Sequence, residues 1–474
     1  MPEGSRTLPS MDIGLNGQIL VGLVIAPALL FLALAVFWLL GWKGQEKIVC
    51  ALTGFLFLGL TLGTGVLAFR MVRHRLPSVS VDLGNWFAIG DYGFPLRLTV
   101  DRLSLPMVGL TVVLVGLVGK FSTLYLHRDP GHLRFFLLIQ LYAFGSLLLF
   151  TAGSIDLLMA GWELVGITSV LLIGFFSYRR EPVLNAIRVF ATYRLADICI
   201  LVAVFLAHHW YGSGLWSALI TGEWPMQKSA VGGPELNILG VLLVLAACGK
   251  SSQGPFFGWL PRAMEGPTPS SAIFYGAISV HAGAYLVLRI EPLLESAPVA
   301  RYVLMAIGIS TAVVATLIHR TCTDVKTGLS YASMTQLAVI FTEVSLGWTM
   351  VAMLHIAGHV AVRTAQFLRA PSMLHEYRQL HAASGGQIGE TGEHYEALVP
   401  HKLQLWLYGL GLDRGHYDAI VDRLVIAPMV CLSAVLNRIE PTWMGGSSPA
   451  KASKSEAEEV AGDLVTENSH DAPV

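Results

Sequence analysis

Five charged or titratable residues lie within otherwise apolar sequence. Glu163 lies in GWELVGITSVLLIGFF, and Lys250 ends the run VLLVLAACGK. His355, His359 and Arg363 follow one another at i, i+4 and i+8 in LHIAGHVAVRTAQFL, so a helix carries them along one face. Carboxylates and imidazoles in a low-dielectric environment change protonation state when a neighbouring charge changes. No nucleophile triad, phosphate loop or dinucleotide fingerprint occurs, so these residues predict ion transfer without bond-making chemistry.

The composition places these residues in a membrane. The chain has 474 residues, of which 54% are hydrophobic and 13% are charged, whereas a soluble domain carries about 25% charged residues. The net charge of -1 does not indicate a nucleic-acid partner. The cysteines lack CxxC or Cys/His spacing, so we predict neither disulfides nor a metal site from them. They are Cys50, Cys199, Cys248, Cys322 and Cys431.

Apolar windows of about twenty residues predict the membrane-spanning helices. They lie near residues 18–40, 47–70, 103–126, 133–151, 154–177, 184–208, 237–257, 268–290, 300–319, 327–347 and 349–369. We therefore predict an all-α fold, a polytopic membrane bundle of about 11 to 12 transmembrane helices with short connections. The loop 71–102 is rich in Gly, Pro and aromatic residues, which favours a small hairpin.

The seventh predicted helix is broken next to its lysine. Gly254 and Pro255 follow Lys250, and several further helix breakers come after them. A membrane tolerates such a break only where protein or a hydrated cavity satisfies the freed backbone groups. Inserting a lysine at the middle of a membrane helix costs roughly 2.5 to 3.5 kcal/mol, so we expect a charge or water beside Lys250.

Three residues each allow two interpretations, and a fourth allows one. Glu163 either relays protons or forms a static hydrogen bond between helices. Asp197 lies three residues after Arg194, so it either forms a static ion pair or tunes Glu163. Lys326 either joins the polar path or only extends to the membrane surface. His281 lies inside an apolar helix, where we expect it to extend the row formed by the later histidines.

The pair His355 and His359 has the i, i+4 spacing of some metal ligands. Neither a glutamate in HExxH fashion nor a third ligand accompanies the pair, so we predict no metal site and no cofactor in this chain. A hydrated proton path beside Arg363 fits these residues better.

The distribution of Lys and Arg among short loops predicts an external N-terminus and a cytoplasmic C-terminal region. The polar start lacks a cationic n-region, so we expect the first apolar helix to be retained. The segments 401–412 and 416–439 favour amphipathic helices that dock a partner, although the second is long enough to span. The predicted domains are an N-terminal extension at 1–17, a transmembrane bundle at 18–370, a linker with docking helices at 371–445, and a disordered tail at 446–474.

Five motifs together resemble the antiporter-like subunits of respiratory complex I, chain 5 type, and of Mrp sodium/proton antiporters. They are GWELVGITSVLLIGFF, NAIRVFATYRLADI, GKSSQGPFFGWLPRAMEGPTPSSA, TDVKTGLSYASMTQLA and LHIAGHVAVRTAQFL. The resemblance implies that Glu163 is the family's membrane glutamate, that Asp197 is its acidic neighbour, and that Lys250 switches with the glutamate. It also implies that Lys326, His355 and His359 lie on the central polar axis.

Two departures and one closer resemblance refine this expectation. Tyr275 stands where the family usually has a histidine, and Arg363 stands where it has a lysine; arginine does not release its proton at workable pH. The segments FLRAPS and LDRGHYDAIVDRLVIAPM resemble the DabB-type membrane subunits of inorganic-carbon transporters. That resemblance implies a DabA-like cytoplasmic partner that holds zinc and hydrates carbon dioxide to bicarbonate, driven by proton or sodium flux through this chain in the cell inner (plasma) membrane.

Two other hypotheses stay open. In the first, the chain is a proton-pumping subunit of a complex I-like or Mrp-type antiporter complex. In the second, it is a non-conducting membrane scaffold. Substitution of Glu163 and Lys250 separates the scaffold from the transporters, since a scaffold tolerates both changes. In each case we expect no intrinsic enzyme activity.

Overall fold

The computed structural model describes residues 14–41, 45–89, 92–383 and 399–417, with the isolated positions 423, 428, 431 and 432. The fold and site below belong to the compact unit Met1–Gly415, and His416–Val474 forms a second unit. The predicted tail at 446–474 lies outside the described residues, as does nearly all of the predicted helix at 416–439.

Helices make up most of the described chain. In chain order they are α1 (Leu15–Leu39), α2 (Glu46–Arg73), α3 (Ser104–Tyr125), α4 (His132–Phe150), α5 (Ile155–Ile173), α6 (Arg180–Tyr211), α7 (Trp216–Leu219), α8 (Glu235–Lys250), α9 (Trp259–Arg262), α10 (Thr268–Ser271), α11 (Ser279–Arg289), α12 (Glu291–Glu295), α13 (Pro298–His319), α14 (Val325–Ser345), α15 (Thr349–Ala383) and α16 (His401–Leu412). This arrangement confirms the predicted all-α membrane fold.

Eight helical segments among the described residues are long and apolar enough to span a bilayer. They are α1 to α6, the stretch Thr268–Arg289, and α13. Helices α8, α14 and α15 cover the three remaining predicted windows, but they are too short or too polar for that criterion. The count of about eleven spans therefore stays a prediction. Helix α15 continues to Ala383, beyond the predicted bundle boundary at residue 370.

A β-hairpin follows α2, as the composition of the 71–102 loop predicted. Strands β1 (Ser78–Ile89) and β2 (Tyr92–Asp101) pair antiparallel. A second, two-residue pair joins β3 (Ile220–Thr221) and β4 (Lys228–Ser229). The amide of Thr99 donates to the carbonyl of Thr151 at 2.7 Å, so the hairpin is attached to the turn that precedes α5.

The carboxylate of Asp101, at the end of β2, connects the hairpin to the bundle. It accepts from the amides of Leu103 and Ser104, which begin α3. It also accepts from both terminal nitrogens of Arg289 at the end of α11. Arg289 in turn donates to the hydroxyl of Tyr285 at 2.9 Å. Both members of the ion pair are buried, so the pair fixes α3 against α11.

Helices α4 and α5 touch backbone to backbone at a pair of glycines. A Cβ atom on Gly161 would lie 2.5 Å from the amide nitrogen of Leu149 and 2.7 Å from the carbonyl of Gly145. Only glycine fits at such a contact, which is the usual device for close helix packing in membranes. The contact fixes the depth of Trp162 and Glu163, the two residues that follow Gly161.

The predicted helix break is present, and α8 ends at Lys250. Gly254 and Pro255 lie in the irregular segment between Lys250 and α9. The amide of Gly254 donates to the hydroxyl of Thr311 at 3.0 Å, and the indole of Trp259 donates to the carbonyl of Gly249 at 2.8 Å. Side chains of neighbouring helices therefore satisfy backbone groups that the break releases.

A second irregularity precedes α11. Residues Ala272–Ala277 form a π-helical turn between α10 and α11, and the whole stretch from Thr268 to Arg289 is buried. Such turns occur often at functional sites. This one ends four residues before His281.

Candidate functional site

A carboxylate cluster lies between α5 and α6. The guanidinium nitrogen Nη2 of Arg194 contacts Glu163 Oε2 and also donates to Asp197 Oδ2 at 2.7 Å. The indole Nε1 of Trp162 donates to the other oxygen of Asp197 at 2.7 Å. One arginine therefore holds both predicted carboxylates. Asp197 is buried, whereas Glu163 and Arg194 are partly exposed.

Lys250 lies beside this cluster without joining it. Its ammonium donates to the backbone carbonyl of Trp162 at 3.0 Å. The same nitrogen lies 4.4 Å from the ring centre of Tyr193 and 5.1 Å from that of Trp162. Aromatic faces and a carbonyl stabilise a cation that has left water. Within the described part of the chain, no carboxylate lies within ion-pair distance of Lys250, which is itself buried.

Gly166, one turn after Trp162, provides the space for this ammonium. A Cβ atom at position 166 would lie 3.0 Å from the Lys250 nitrogen and 3.8 Å from a guanidinium nitrogen of Arg194. The two cations thus share a small space, next to the carboxylates that either one can neutralise. A change in the position of one cation therefore changes the electrostatic environment of the other.

The helix break leads from Lys250 towards His281. Ser251, the residue after Lys250, donates to the carbonyl of Val280, the residue before His281, at 2.6 Å. A ring nitrogen of His281 lies 2.8 Å from a ring nitrogen of His359 on α15, and both histidines are buried. The guanidinium of Arg363 donates to the second nitrogen of His359 at 3.4 Å.

The polar row continues along α15 to His355. The rings of His359 and His355 lie with their centres 6.4 Å apart. The Nδ1 atom of His355 lies 3.0 Å from a carboxylate oxygen of Glu343, and its Nε2 atom lies 3.0 Å from the amide oxygen of Gln336. Both partners come from α14.

The structure brings most of the predicted residues into two adjoining groups. One holds Glu163, Asp197 and Lys250, and the other holds His281, His359, Arg363 and His355. Lys326 belongs to neither. It begins α14, at the end opposite Glu343, and about 25 Å of helix separates them. The contacts of the described residues include no hydrogen bond or ion pair from Lys326 to either group.

Sequence reasoning missed residues that complete both groups. They are Trp162, Tyr193, Gly166, Gln336 and Glu343. Gln336 and Glu343 are separated by seven residues in TQLAVIFTE, the spacing of one helical face, so the period alone was a usable signal. Trp162 and Gly166 gave no signal, because tryptophan and glycine are common in membrane helices.

The histidine pair is not arranged as a metal site. No group of three or more His, Cys, Asp or Glu side chains among the described residues could hold a metal ion. The Arg363 guanidinium on His359 would also repel a cation there.

Comparisons with known proteins place this chain in a family. Residues 152–387 match the model described as NADH:quinone oxidoreductase/Mrp antiporter, TM, and residues 86–136 match that of complex I chain 5, N-terminus. The chain belongs to the family of complex I chain 5 and Mrp antiporter-type membrane subunits. Both groups of site residues, from Trp162 to Arg363, lie inside the larger matched segment of this antiporter-type chain.

The antiporter-type chain has many relatives. It is 31% identical over 335 residues to NADH-ubiquinone oxidoreductase chain 5 of Neurospora crassa, covering 71% of this chain and 46% of the relative. It is 32% identical over 317 residues to NADH-quinone oxidoreductase subunit L of Mycobacterium tuberculosis, covering 66% and 49%. The chain thus spans about half the length of the curated relatives it matches.

Solved structures share the fold. The Mrp complex from Dietzia sp. DQ12-45-1b contains a chain that is 26% identical with a TM-score of 0.61, over 73% of this chain and 37% of that one. The membrane-bound sulfane sulfur reductase, an archaeal respiratory membrane complex, contains one that is 20% identical with a TM-score of 0.63, over 74% and 70%. The second match concerns the fold alone.

Proposed function

We propose that this chain carries protons across a cell membrane as one subunit of a multi-subunit complex. The observation that supports the proposal most strongly is the sequence of polar side chains from Glu163 to His355, inside helices that are otherwise apolar. Buried ionisable groups are expensive in a membrane and are retained where an ion path needs them. Family membership, and relatives in redox and Mrp complexes, support the same conclusion.

The proposed path begins at the carboxylates. Glu163 takes up a proton, which weakens its attraction for Arg194. Arg194 then pairs with Asp197 alone. Lys250 passes its ammonium proton along the helix break towards His281, and Glu163 then gives up its proton to the neutral amine of Lys250 and becomes a carboxylate again. His359 receives the proton from His281, and His355 releases it. Arg363 keeps its charge throughout and limits how long a second positive charge stays on His359.

The test is proton flux in liposomes that contain the complex purified through this chain. Lys250→Ala and Glu163→Gln should each remove flux, because each deletes a group of the path. Lys120→Ala on α3 and Glu181→Gln on α6 are matched controls, since both side chains are exposed. Flux at the wild-type level in Lys250→Ala would refute the proposal. Replacing sodium by choline distinguishes proton from sodium transport.

We also propose a more specific setting, coupling to inorganic-carbon uptake through a DabA-like zinc protein. This candidate rests on the segments FLRAPS and LDRGHYDAIVDRLVIAPM, which resemble DabB-type subunits. The chain would then lie in the cell inner membrane, with its C-terminal region in the cytoplasm next to that partner. The comparisons favour the redox or antiporter setting, so this candidate needs a direct test.

Purification of the tagged chain in mild detergent, with mass spectrometry and zinc analysis, separates the two settings. A stoichiometric zinc-bearing soluble protein would support carbon uptake. Quinone-oxidoreductase or Mrp-type subunits would exclude carbon uptake and support the pump. Either result leaves the proton path itself to the flux measurement.

A further inference from the structure

Two residues of α14 hold His355 from both sides, and the path above gives them no role. Glu343 offers both carboxylate oxygens to Nδ1 of His355, at 3.0 and 3.1 Å. Gln336 offers its amide oxygen to Nε2 at 3.0 Å. Gln336 and Glu343 lie seven residues apart on one helical face, so the ring of His355 lies between their side chains. We call these two residues the clamp.

The chemistry of this clamp fits a group that changes protonation state. With the amide oxygen towards Nε2 and the carboxylate towards Nδ1, both ring nitrogens face acceptors, which suits the imidazolium form. Rotating the amide by half a turn presents its NH2 group to Nε2, which suits the neutral ring. His355 therefore has a complete set of hydrogen bonds in both protonation states. A partly buried group with a fixed partner lacks this property, because one state leaves a polar atom unpaired.

The position of the clamp suits the end of a path. His281 and His359 are 0% and 7% exposed, whereas the side chains of His355 and Glu343 are 21% and 14% exposed. Exposure thus rises from His281 through His359 to His355, and Glu343, next to His355, is partly exposed as well. The other charged or titratable groups of the row are His359, His281 and Arg363, and all three lie on the buried side of His355.

We propose that Gln336, His355 and Glu343 form a proton-release station at the outer end of the row. A proton arriving from His359 binds Nε2 of neutral His355 as the Gln336 amide turns its oxygen towards it. The proton on Nδ1 then leaves to the carboxylate of Glu343 and from there to water, so one N–H bond forms and one breaks. Glu343 thereby takes the terminal role that the fixed charge of Arg363 cannot fill. This inference rests on the proposed proton transport.

The test measures proton flux in the reconstituted complex for four variants. Glu343→Gln should lower flux about a hundredfold, the smaller end of what a lost acid–base group costs, and Gln336→Met should lower flux as well, because it removes the amide that pairs with Nε2 of His355. Gln336→Glu should lower it as well, since a fixed acceptor holds His355 in its charged form. Glu343→Asp keeps the carboxylate and should retain a measurable part of the flux. A purely structural role of Glu343 would not predict more flux in Glu343→Asp than in Glu343→Gln when both variants fold.

Matched controls come from the same chain. Gln140→Met changes a buried glutamine of α4 that bonds Thr53, far from the histidines, and Glu181→Gln changes an exposed carboxylate. If Gln336→Met unfolds, Gln336→Glu keeps the size of the side chain and decides the outcome. Wild-type flux in Gln336→Glu and Glu343→Gln, with none in Lys250→Ala, would overturn the station alone. Wild-type flux in Lys250→Ala would instead overturn the proposed function.

Discussion

Lys250 donates its hydrogen bond to the backbone carbonyl of Trp162, and the side chain of Trp162 donates to Asp197. One residue thus connects the membrane lysine with the membrane aspartate while keeping them apart. Arg194 meanwhile neutralises both Asp197 and Glu163. The structure therefore shows Lys250 supported by a backbone carbonyl and two aromatic faces, while both carboxylates are paired with Arg194.

The first prediction concerns the space around the ammonium of Lys250. Gly166→Ala should lower proton flux roughly threefold to tenfold, because its Cβ displaces the ammonium by a few tenths of an ångström. The unfolding free energy should change by less than about 1 kcal/mol, since a flexible side-chain end yields easily. Flux and thermal unfolding measured on one preparation check both statements. Gly59→Ala on α2, where a Cβ meets nothing within 4 Å, is the control.

The second prediction concerns the shared cation. Arg194→Gln should abolish flux and lower the unfolding free energy by roughly 1 to 3 kcal/mol, less than for a fully buried pair because the arginine is partly exposed. Compared with Arg194→Gln, Arg194→Lys should recover more of the stability than of the flux, since an ammonium lacks the planar fork of the guanidinium. Denaturation and flux assays measure the two effects. Equal flux in wild type and Arg194→Gln would contradict a role for this arginine.

The third prediction concerns the link between the hairpin and the bundle. Burial raises the pKa of Asp101, but the Arg289 guanidinium and the hydrogen bonds to Arg289 and Ser104 outweigh it, so the pKa lies below its usual value. The carboxylate therefore contributes stability above its unfolded pKa of about 4, and that contribution is lost as the pH falls through the folded pKa. The melting temperature should therefore drop as the pH is lowered from about 4 through the folded pKa of Asp101.

Substitution isolates the contribution of this carboxylate. Asp101→Asn should cost roughly 3 to 5 kcal/mol at neutral pH, because it leaves the Arg289 charge buried and unpaired, and should flatten the acid limb of the melting curve. Asp82 is the contrast. Its bond to Arg97 also lowers its pKa, but its side chain is 49% exposed. Asp82→Asn should therefore cost less than about 1 kcal/mol.

The fourth prediction concerns the contact of α4 with α5. Gly161→Ala should lower the unfolding free energy by roughly 1 to 3 kcal/mol, because its Cβ meets rigid backbone atoms of Leu149 and Gly145. Flux should fall too, since the helix that carries Glu163 must move. Gly358→Ala on α15, whose Cβ meets nothing within 4 Å, should leave both unchanged. Unaltered stability in Gly161→Ala would mean that α4 and α5 can separate freely.

The sequence by itself determined the contacts that depend on helical period and on composition. Windows of apolar residues located the helices, and breakers after Lys250 located the interruption. The spacing of three residues placed Arg194 against Asp197, and the spacing of four placed His359 next to Arg363. These predictions succeed because the period of an α-helix is fixed by its backbone hydrogen bonds.

Only the tertiary structure decided which helices meet and at what depth. The sequence did not predict that Arg194 contacts Glu163 or that Lys250 donates to a backbone carbonyl. It predicted that His281 extends the histidine row, but not its direct contact with His359, 78 residues away. The physical reason is that lipid and protein interior are equally apolar, so a membrane helix does not reveal which side faces its neighbours. Close packing of small residues such as Gly161 sets rotation and depth instead, and the polar path follows from that packing.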